Sequence, residues 1–471
     1  MIPAAWRRGE IAVIGLGKSG RSVATLLRRA DARVYVSDAG SNAAIESAAA
    51  ELRSLGAEVD VGRHDLDRIG RASVVVASPG VPPDAPPLVT AGERGVPIVG
   101  EIEVALRFLP RTRSIAVTGT NGKTTTTAMV GHLLRALGAV ATDAGNIGTP
   151  LADVALADRH PAWVALELSS FQLHDTPSIA PDVGVVTNLG PDHLDRYATA
   201  DEYYADKARL FANAHPGSRW VLNGDQEEVL TLHRRLSDAN ASAAPAGARW
   251  TFSLSDPGAA ATYDRARKRL VVLGAPLLDR DQLALFGDHN VANALAASLA
   301  VMVADPSHAT ADARSRIADG LRSFRALKHR LEIAGEVGGV LWINDSKATN
   351  VGSTLVAVQG MTRPTILLLG GRHKGEPYTA LAEPLRRVGK RVLAYGESAP
   401  IIESDLGGRV PLERLGSSFA DVMERARALA EPGDVVLLSP ACSSYDMFRN
   451  YEERGAEFKR LALAGAAPAA R

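Results

Sequence analysis

The run Gly119-Thr120-Asn121-Gly122-Lys123-Thr124-Thr125 carries the strongest chemistry in this chain. Between an apolar strand and a helix, a glycine-rich turn aims backbone N–H groups at phosphate oxygens, and the helix dipole adds to the attraction. Lys123 is placed to reach the β- and γ-phosphates of a nucleotide, and the Thr124 hydroxyl to ligate Mg²⁺. Val117 stands where the strict pattern has glycine, so the loop is a variant one. Glu167 follows the apolar run 163–166, and a carboxylate at a strand end beside a phosphate loop is placed to hold a metal. Asn188, Asp192, His193 and Asp195 follow another apolar run, 183–186. Their spacing fits no common zinc pattern. They read as Mg²⁺ and nucleotide ligands or, through Asp192, as a cap on the next helix.

A second glycine set, Gly15-x-Gly17-x-x-Gly20, follows the apolar run 11–14, with Asp38 at the end of the next strand. This matches the dinucleotide fingerprint and predicts a nucleotide diphosphate; a tight turn without a ligand is the plainer alternative. Three further loops each end a strand: Asn344-Asp345-Ser346-Lys347-Ala348-Thr349-Asn350, Gly370-Gly371-Arg372-His373-Lys374-Gly375, and Ser439-Pro440-Ala441-Cys442-Ser443-Ser444-Tyr445-Asp446. In a parallel sheet they share one edge, where ligands bind. Lys374 and the hydroxyls suit a carboxylate substrate. Cys442 reads as a small buried residue rather than a nucleophile.

Such loops need rigid strands and helices behind them. The chain has 471 residues, enough for two to four domains. Strands alternating with helices predict an α/β fold of three domains. These are a Rossmann-like N-terminal domain (1–110), a P-loop ATPase-type central domain (111–326) and a Rossmann-like C-terminal domain (327–471). Lys plus Arg and Asp plus Glu balance at 53 each, which argues against nucleic-acid binding driven by phosphate neutralisation. The single cysteine excludes an internal disulfide and fits a reducing compartment. No apolar run has signal-peptide or transmembrane character. The expectation is a cytoplasmic monomer with no membrane insertion.

Taken together, the motifs resemble the Mur ligase family over nearly the whole chain. The resemblance rests on 118–125, Glu167-Leu168-Ser169-Ser170-Phe171-Gln172-Leu173, Asn188 through Asp192-His193-Leu194-Asp195-Arg196-Tyr197, Gly287-x-His289-Asn290-x-x-Asn293, His329-Arg330 and the 344–350 loop. The 167–173 run and the 439–446 loop are similar to the glutamate-adding branch. His373 and Lys328 depart from the family's usual aspartate and proline.

The resemblance implies an N-terminal domain that binds a UDP-linked substrate, an ATPase centre and a C-terminal domain that binds glutamate. Gly119, Thr120, Asn121, Gly122, Lys123, Thr124, Thr125, Asn293, Arg330 and Asp345 would bind ATP. Thr124, Glu167, His193 and Lys207, the last carbamylated, would serve two Mg²⁺ ions, and Lys123, Lys207 and His193 the chemistry. Ser19, Asp38, Gly80, Asn146 and His193 would hold the UDP substrate; Lys374, Thr349, Ser444 and Tyr451 would surround glutamate. The implied reaction activates the alanine carboxylate of UDP-N-acetylmuramoyl-L-alanine as an acyl phosphate, then joins it to the glutamate amine. Use of L-glutamate with later epimerisation, or an NAD-dependent oxidoreductase with an accessory ATPase, are the rival readings.

Overall fold

The computed structural model describes residues 2–192, 196–236 and 245–464. Among them lie three sheets in chain order. The first holds β1 (Ile11–Ile14), β2 (Val34–Asp38), β3 (Glu58–Val61), β4 (Val74–Ala77) and β5 (Ile98–Gly100), in the order β3-β2-β1-β4-β5. All its pairings are parallel. β1 and β4 are buried along their whole length, which explains their unbroken Ile/Val/Ala runs: strands covered by helices on both faces have no polar side. Strand order reverses between β1 and β4, so a crevice opens beyond their C-terminal ends.

The second sheet has nine strands: β6 (Arg113–Thr118), β7 (Ala141–Gly145), β8 (Trp163–Glu167), β9 (Val183–Val186), β10 (Arg219–Asn223), β11 (Ala248–Ser253), β12 (Ala261–Asp264), β13 (Arg269–Val272) and β14 (Ala275–Asp279). Its order is β14-β13-β12-β11-β10-β9-β6-β8-β7. β6 is thus flanked by β9 and β8, both parallel to it. That placement sets the loops after β6, β8 and β9 side by side. Beyond β11 the sheet continues as antiparallel hairpins. The helix Asp288–Ala304, rich in alanine and leucine, is buried almost all round and packs across this sheet.

The third sheet comprises β15 (Glu332–Val337), β16 (Val340–Asn344), β17 (Thr365–Gly370), β18 (Gly389–Tyr395), β19 (Leu412–Arg414) and β20 (Val435–Leu438), ordered β15-β16-β20-β17-β18-β19. β16, β20 and β17 are adjacent and parallel, so the loops 344–350, 439–446 and 370–375 share one edge. β15 runs antiparallel at the margin, a departure from an all-parallel Rossmann sheet. The first two sheets share one apolar core through the helices Glu101–Leu106 and Leu151–Leu156. Among the described residues no helix is long and apolar enough to cross a membrane.

Candidate active site

The phosphate-loop turn is a backbone shape only glycine supplies. Gly119 and Gly122 sit at φ +139° and +82°, and a Cβ on Gly119 would lie 2.1 Å from Thr187 Oγ1. Asn188 clamps the turn from β9's end. Its carbonyl accepts from Thr120 N at 2.8 Å and its Oδ1 from Asn121 N at 2.8 Å. Gly122 caps the helix Lys123–Ala136 without a side chain, leaving the helix's first N–H groups facing outward for an anion.

Inside this turn Lys123 folds back on the loop, donating to the carbonyls of Gly119 (3.0 Å) and Thr120 (2.7 Å). Lys207, 1% exposed, donates to the same Gly119 carbonyl at 2.8 Å and lies 4.3 Å from the Tyr203 ring centre. Burial lowers both lysines' proton affinity, Lys207 well below its usual value, with Lys123's charge adding to the effect.

Glu167 closes β8 and is almost fully buried. Its Oε1 accepts from the Thr124 hydroxyl and from Asn146 Nδ2, each at 3.1 Å. Its Oε2 is buried without a hydrogen-bond partner. An unpaired buried carboxylate oxygen beside a threonine hydroxyl and a phosphate loop suits a divalent cation such as Mg²⁺. Among the described residues no three His, Cys, Asp or Glu gather into a metal cluster. His193 lies outside the described residues. Asp192 does not cap the next helix, which Thr199 caps; instead its Oδ2 accepts from Asn350 at 3.2 Å.

The third sheet's loops close over this turn. Arg330 donates to Thr124 Oγ1 at 2.6 Å, and Ser353 Oγ to Asn121 Oδ1 at 3.0 Å. His329 and Leu331, either side of Arg330, hold left-handed backbone at φ 63° and 45°, local strain that fixes the arginine's direction. Asn293, Arg330 and Asp345 line one cavity with Asn121, Gly122 and Thr125, walled by Leu285, Leu327 and Val356. Burial pushes the Asp345 carboxyl up to about 7, against the opposing bonds from Ser439 and Leu331 N–H. Lys347 also faces this cavity; burial and Arg330's charge bring it down to about 8. It donates to Tyr451 OH at 2.7 Å. Nothing local in the sequence marks this role for Lys347, because its partner is far along the chain.

Ser19, Asp38, Gly80 and Asn146 come together around a cleft of about 610 Å³ at the β1/β4 crevice. A Cβ on Gly20 would sit 1.8 Å from the Gly15 carbonyl oxygen, so the helix Lys18–Arg29 can approach the turn only with glycine there. Asp38 braces the turn, accepting from Leu16 N at 2.6 Å and Gly40 N at 2.7 Å. Lys18 reaches across to Gly148's carbonyl at 2.6 Å, and Gln172, on the helix Ser170–His174 after β8, lines the same cleft.

Lys374 and Thr349 meet at 3.5 Å. Ser444 is buried, and Tyr451 is bonded to Lys347 rather than to the Lys374–Thr349 pair. His373 bonds Tyr378 OH at 2.9 Å, and that hydroxyl lies 3.0 Å from the fully buried Cys442 Sγ. Cys442 is therefore packed, not presented.

Family models match in chain order: a Mur ligase MurD-like N-terminal domain over residues 9–100, a Mur ligase middle domain over 117–301, and a Mur ligase glutamate ligase domain over 329–442. The first of these displaces the oxidoreductase reading of the N-terminal glycines. The chain is 42% identical over 467 residues to a UDP-N-acetylmuramoylalanine–D-glutamate ligase of Anaeromyxobacter dehalogenans, covering 96% of this chain and 97% of the relative. It is 40% identical over 463 residues to the protein of that name from Acidobacterium capsulatum, covering 97% and 96%. Among solved structures, a UDP-N-acetylmuramate-alanine ligase of Thermotoga maritima shares the fold, with a TM-score of 0.59, 21% identity and coverage of 97% and 99%. With these matches spread over all three sheets, the chain belongs to the Mur ligase family.

Proposed function

We propose that this chain joins D-glutamate to UDP-N-acetylmuramoyl-L-alanine in an ATP-dependent ligation that builds peptidoglycan precursor. The observation that carries this reading is the meeting of two sites at Glu167. Its Oε1 is bonded both to Asn146, on the diphosphate cleft, and to Thr124, at the start of the phosphate-loop helix. A carboxylate delivered along the cleft would arrive beside a γ-phosphate held on the turn. The names of the relatives support D-glutamate over the L form.

A free carboxylate resists attack by an amine, so it must first be activated. The alanine carboxylate oxygen attacks the γ-phosphorus, the β–γ bridging P–O bond breaks, and ADP leaves. The glutamate amine then attacks the acyl phosphate's carbonyl carbon; phosphate departs with the C–O electron pair, and the amine sheds a proton. Lys123 and Arg330 neutralise charge on the phosphoryl group in flight. Asn293 and Asp345 hold the nucleoside, and Lys374, Thr349, Ser444 and Tyr451 hold glutamate. Ser19, Asp38, Gly80 and Asn146 hold the UDP substrate. Closure of Arg330 on Thr124 and of Ser353 on Asn121 keeps water from the acyl phosphate.

Thr124, Glu167, His193 and a carbamylated Lys207 would hold two Mg²⁺ ions, which supply charge neutralisation at the transferring phosphoryl group. Lys207's lowered proton affinity favours the neutral amine, the form that adds to CO₂ with loss of a proton. In this reading residues 1–110 bind the UDP substrate, 111–326 bind ATP and 327–471 bind glutamate.

The test supplies UDP-N-acetylmuramoyl-L-alanine and ATP with D-Glu, L-Glu, L-Ala or L-Lys in turn, and weighs the product. A new amide with D-Glu alone is the expected result. Product only with another amino acid, or ADP release without product, overturns the assignment.

A further inference from the structure

A second cavity, of about 360 Å³, lies between the first and second sheets and borders the diphosphate cleft at the Ser78–Pro79 turn. Its volume falls within the range of small-molecule sites, roughly 300–1,000 Å³. Leu88, Ile98 and Ile102 from the first section and Phe171 from the second give it apolar walls. Its charged lining is three acids, Glu101, Asp175 and Asp206, beside His174 and Arg196.

The cations nearest these acids are already engaged. His174 and Arg209 bond Asp206 at 2.8 and 3.1 Å. Arg196 stacks 3.8 Å over the Phe171 ring and donates to Val81's carbonyl at 3.2 Å. Glu101, 3% exposed, takes the Ala152 N–H at the start of the helix Leu151–Leu156, and among the described residues no cation bonds it. Among the described residues no side-chain donor bonds the Asp175 carboxyl, although its backbone carbonyl takes Gly100 N at 2.7 Å. Burial raises both carboxyls, Glu101 up to about 7, and Asp175 against the opposing charges of His174, Arg196 and Arg209. Carboxyls kept from water by apolar walls and lacking a bonded cation favour a ligand that brings one.

We infer that this cavity is a binding site for a small apolar molecule with one cationic nitrogen head group, held by Asp175 and Glu101, and separate from the diphosphate cleft. Asp175 and Asp206 disfavour a phosphate chain here, so the cavity is not an extension of the nucleotide-sugar site. Ser78, Pro79, Val81 and Gln172 line both spaces. An occupant therefore bridges the two sections and presses on the wall of the cleft.

Benzamidine, a flat ring with an amidinium, is the probe, titrated into the full-length protein by ligand-observed NMR. Saturable binding is expected at millimolar concentration, weakened at least about tenfold by Asp175→Asn, in keeping with one charge-assisted hydrogen bond. It should persist in saturating UDP. No saturable binding, equal binding by the folded variant, or displacement by UDP overturns the site. Should Asp175→Asn fail to fold, Leu88→Trp, which fills the cavity from its wall, takes its place, and unchanged binding is then the overturning result.

Discussion

Lys123 and Lys207 donate to one acceptor, the carbonyl oxygen of Gly119, at 3.0 and 2.8 Å. Two ammonium groups on one buried carbonyl repel each other, and the more deeply buried Lys207 is the one better placed to give up its charge. A neutral Lys207 amine invites CO₂. Stripping bicarbonate from the assay should lower ligation by the wild type, and adding it back should restore the rate. Lys207→Arg, always charged, should lose at least ~10²-fold in kcat, the weight of one preorganised electrostatic group. Turnover indifferent to bicarbonate counts against the carbamate.

Arg330 ties the third section to the phosphate loop through its 2.6 Å bond to Thr124 Oγ1. Removing a charge-assisted bond of this kind costs about 1.5–3 kcal/mol, so Arg330→Ala should raise the KM for ATP about 10- to 100-fold. Lys at this position keeps the charge but not the fork, and should recover only part of the loss. Steady-state kinetics at saturating glutamate and UDP substrate give the answer; an unaltered KM would remove Arg330 from the nucleotide site.

Much of this arrangement was legible because it is local. The turns at 15–20 and 119–125 are each written within a few residues between an apolar strand and a helix, and the structure builds both as turns. Glu167 was readable as the polar end of an apolar run. What escaped was non-local or weakly patterned. Lys347's bond to Tyr451 spans over a hundred residues. The Asn146–Glu167 bond joins the ends of neighbouring strands, one of which, Ala-Thr-Asp-Ala-Gly, has little strand character. The β12–β13 hairpin bends at Lys268, in left-handed backbone without a glycine to announce it. β15 pairs antiparallel at an edge, which its half-exposed sequence does not specify.

The diphosphate turn depends on Gly20. A methyl group there meets the Gly15 carbonyl at 1.8 Å and the Ser78 hydroxyl at 2.8 Å, and the first of these is backbone that cannot rotate away. Gly20→Ala should push the helix Lys18–Arg29 off the turn and displace the N–H groups that face the cleft. The expected result is a KM for UDP-N-acetylmuramoyl-L-alanine raised about tenfold or more, with KM for ATP little changed. Overpacking of this kind also costs about 1–3 kcal/mol of stability, visible as a lower thermal midpoint. Equal shifts in both KM values would point to global damage instead.

Glu101 makes stability itself a function of pH. Its carboxyl is raised from its ordinary 4.5 to about 7, chiefly by burial, with the Ala152 N–H opposing. Below about pH 4.5 the folded and unfolded chains both hold the proton, and burial of the neutral acid carries no charge penalty. Between those values the unfolded chain has lost the proton and the folded chain keeps it. Stability therefore falls as pH rises, and the loss is complete once pH passes the folded value, at about 3 kcal/mol for this group alone. Glu101→Gln keeps an acceptor for Ala152 N–H and has no proton to lose. Relative to the wild type the variant should gain stability from about pH 5 and level off above about pH 7, read from urea midpoints at constant slope. A difference that stays flat, or runs the other way, would mean that Glu101 is ionised in the folded chain and that the acid end of the second cavity carries a full charge at neutral pH.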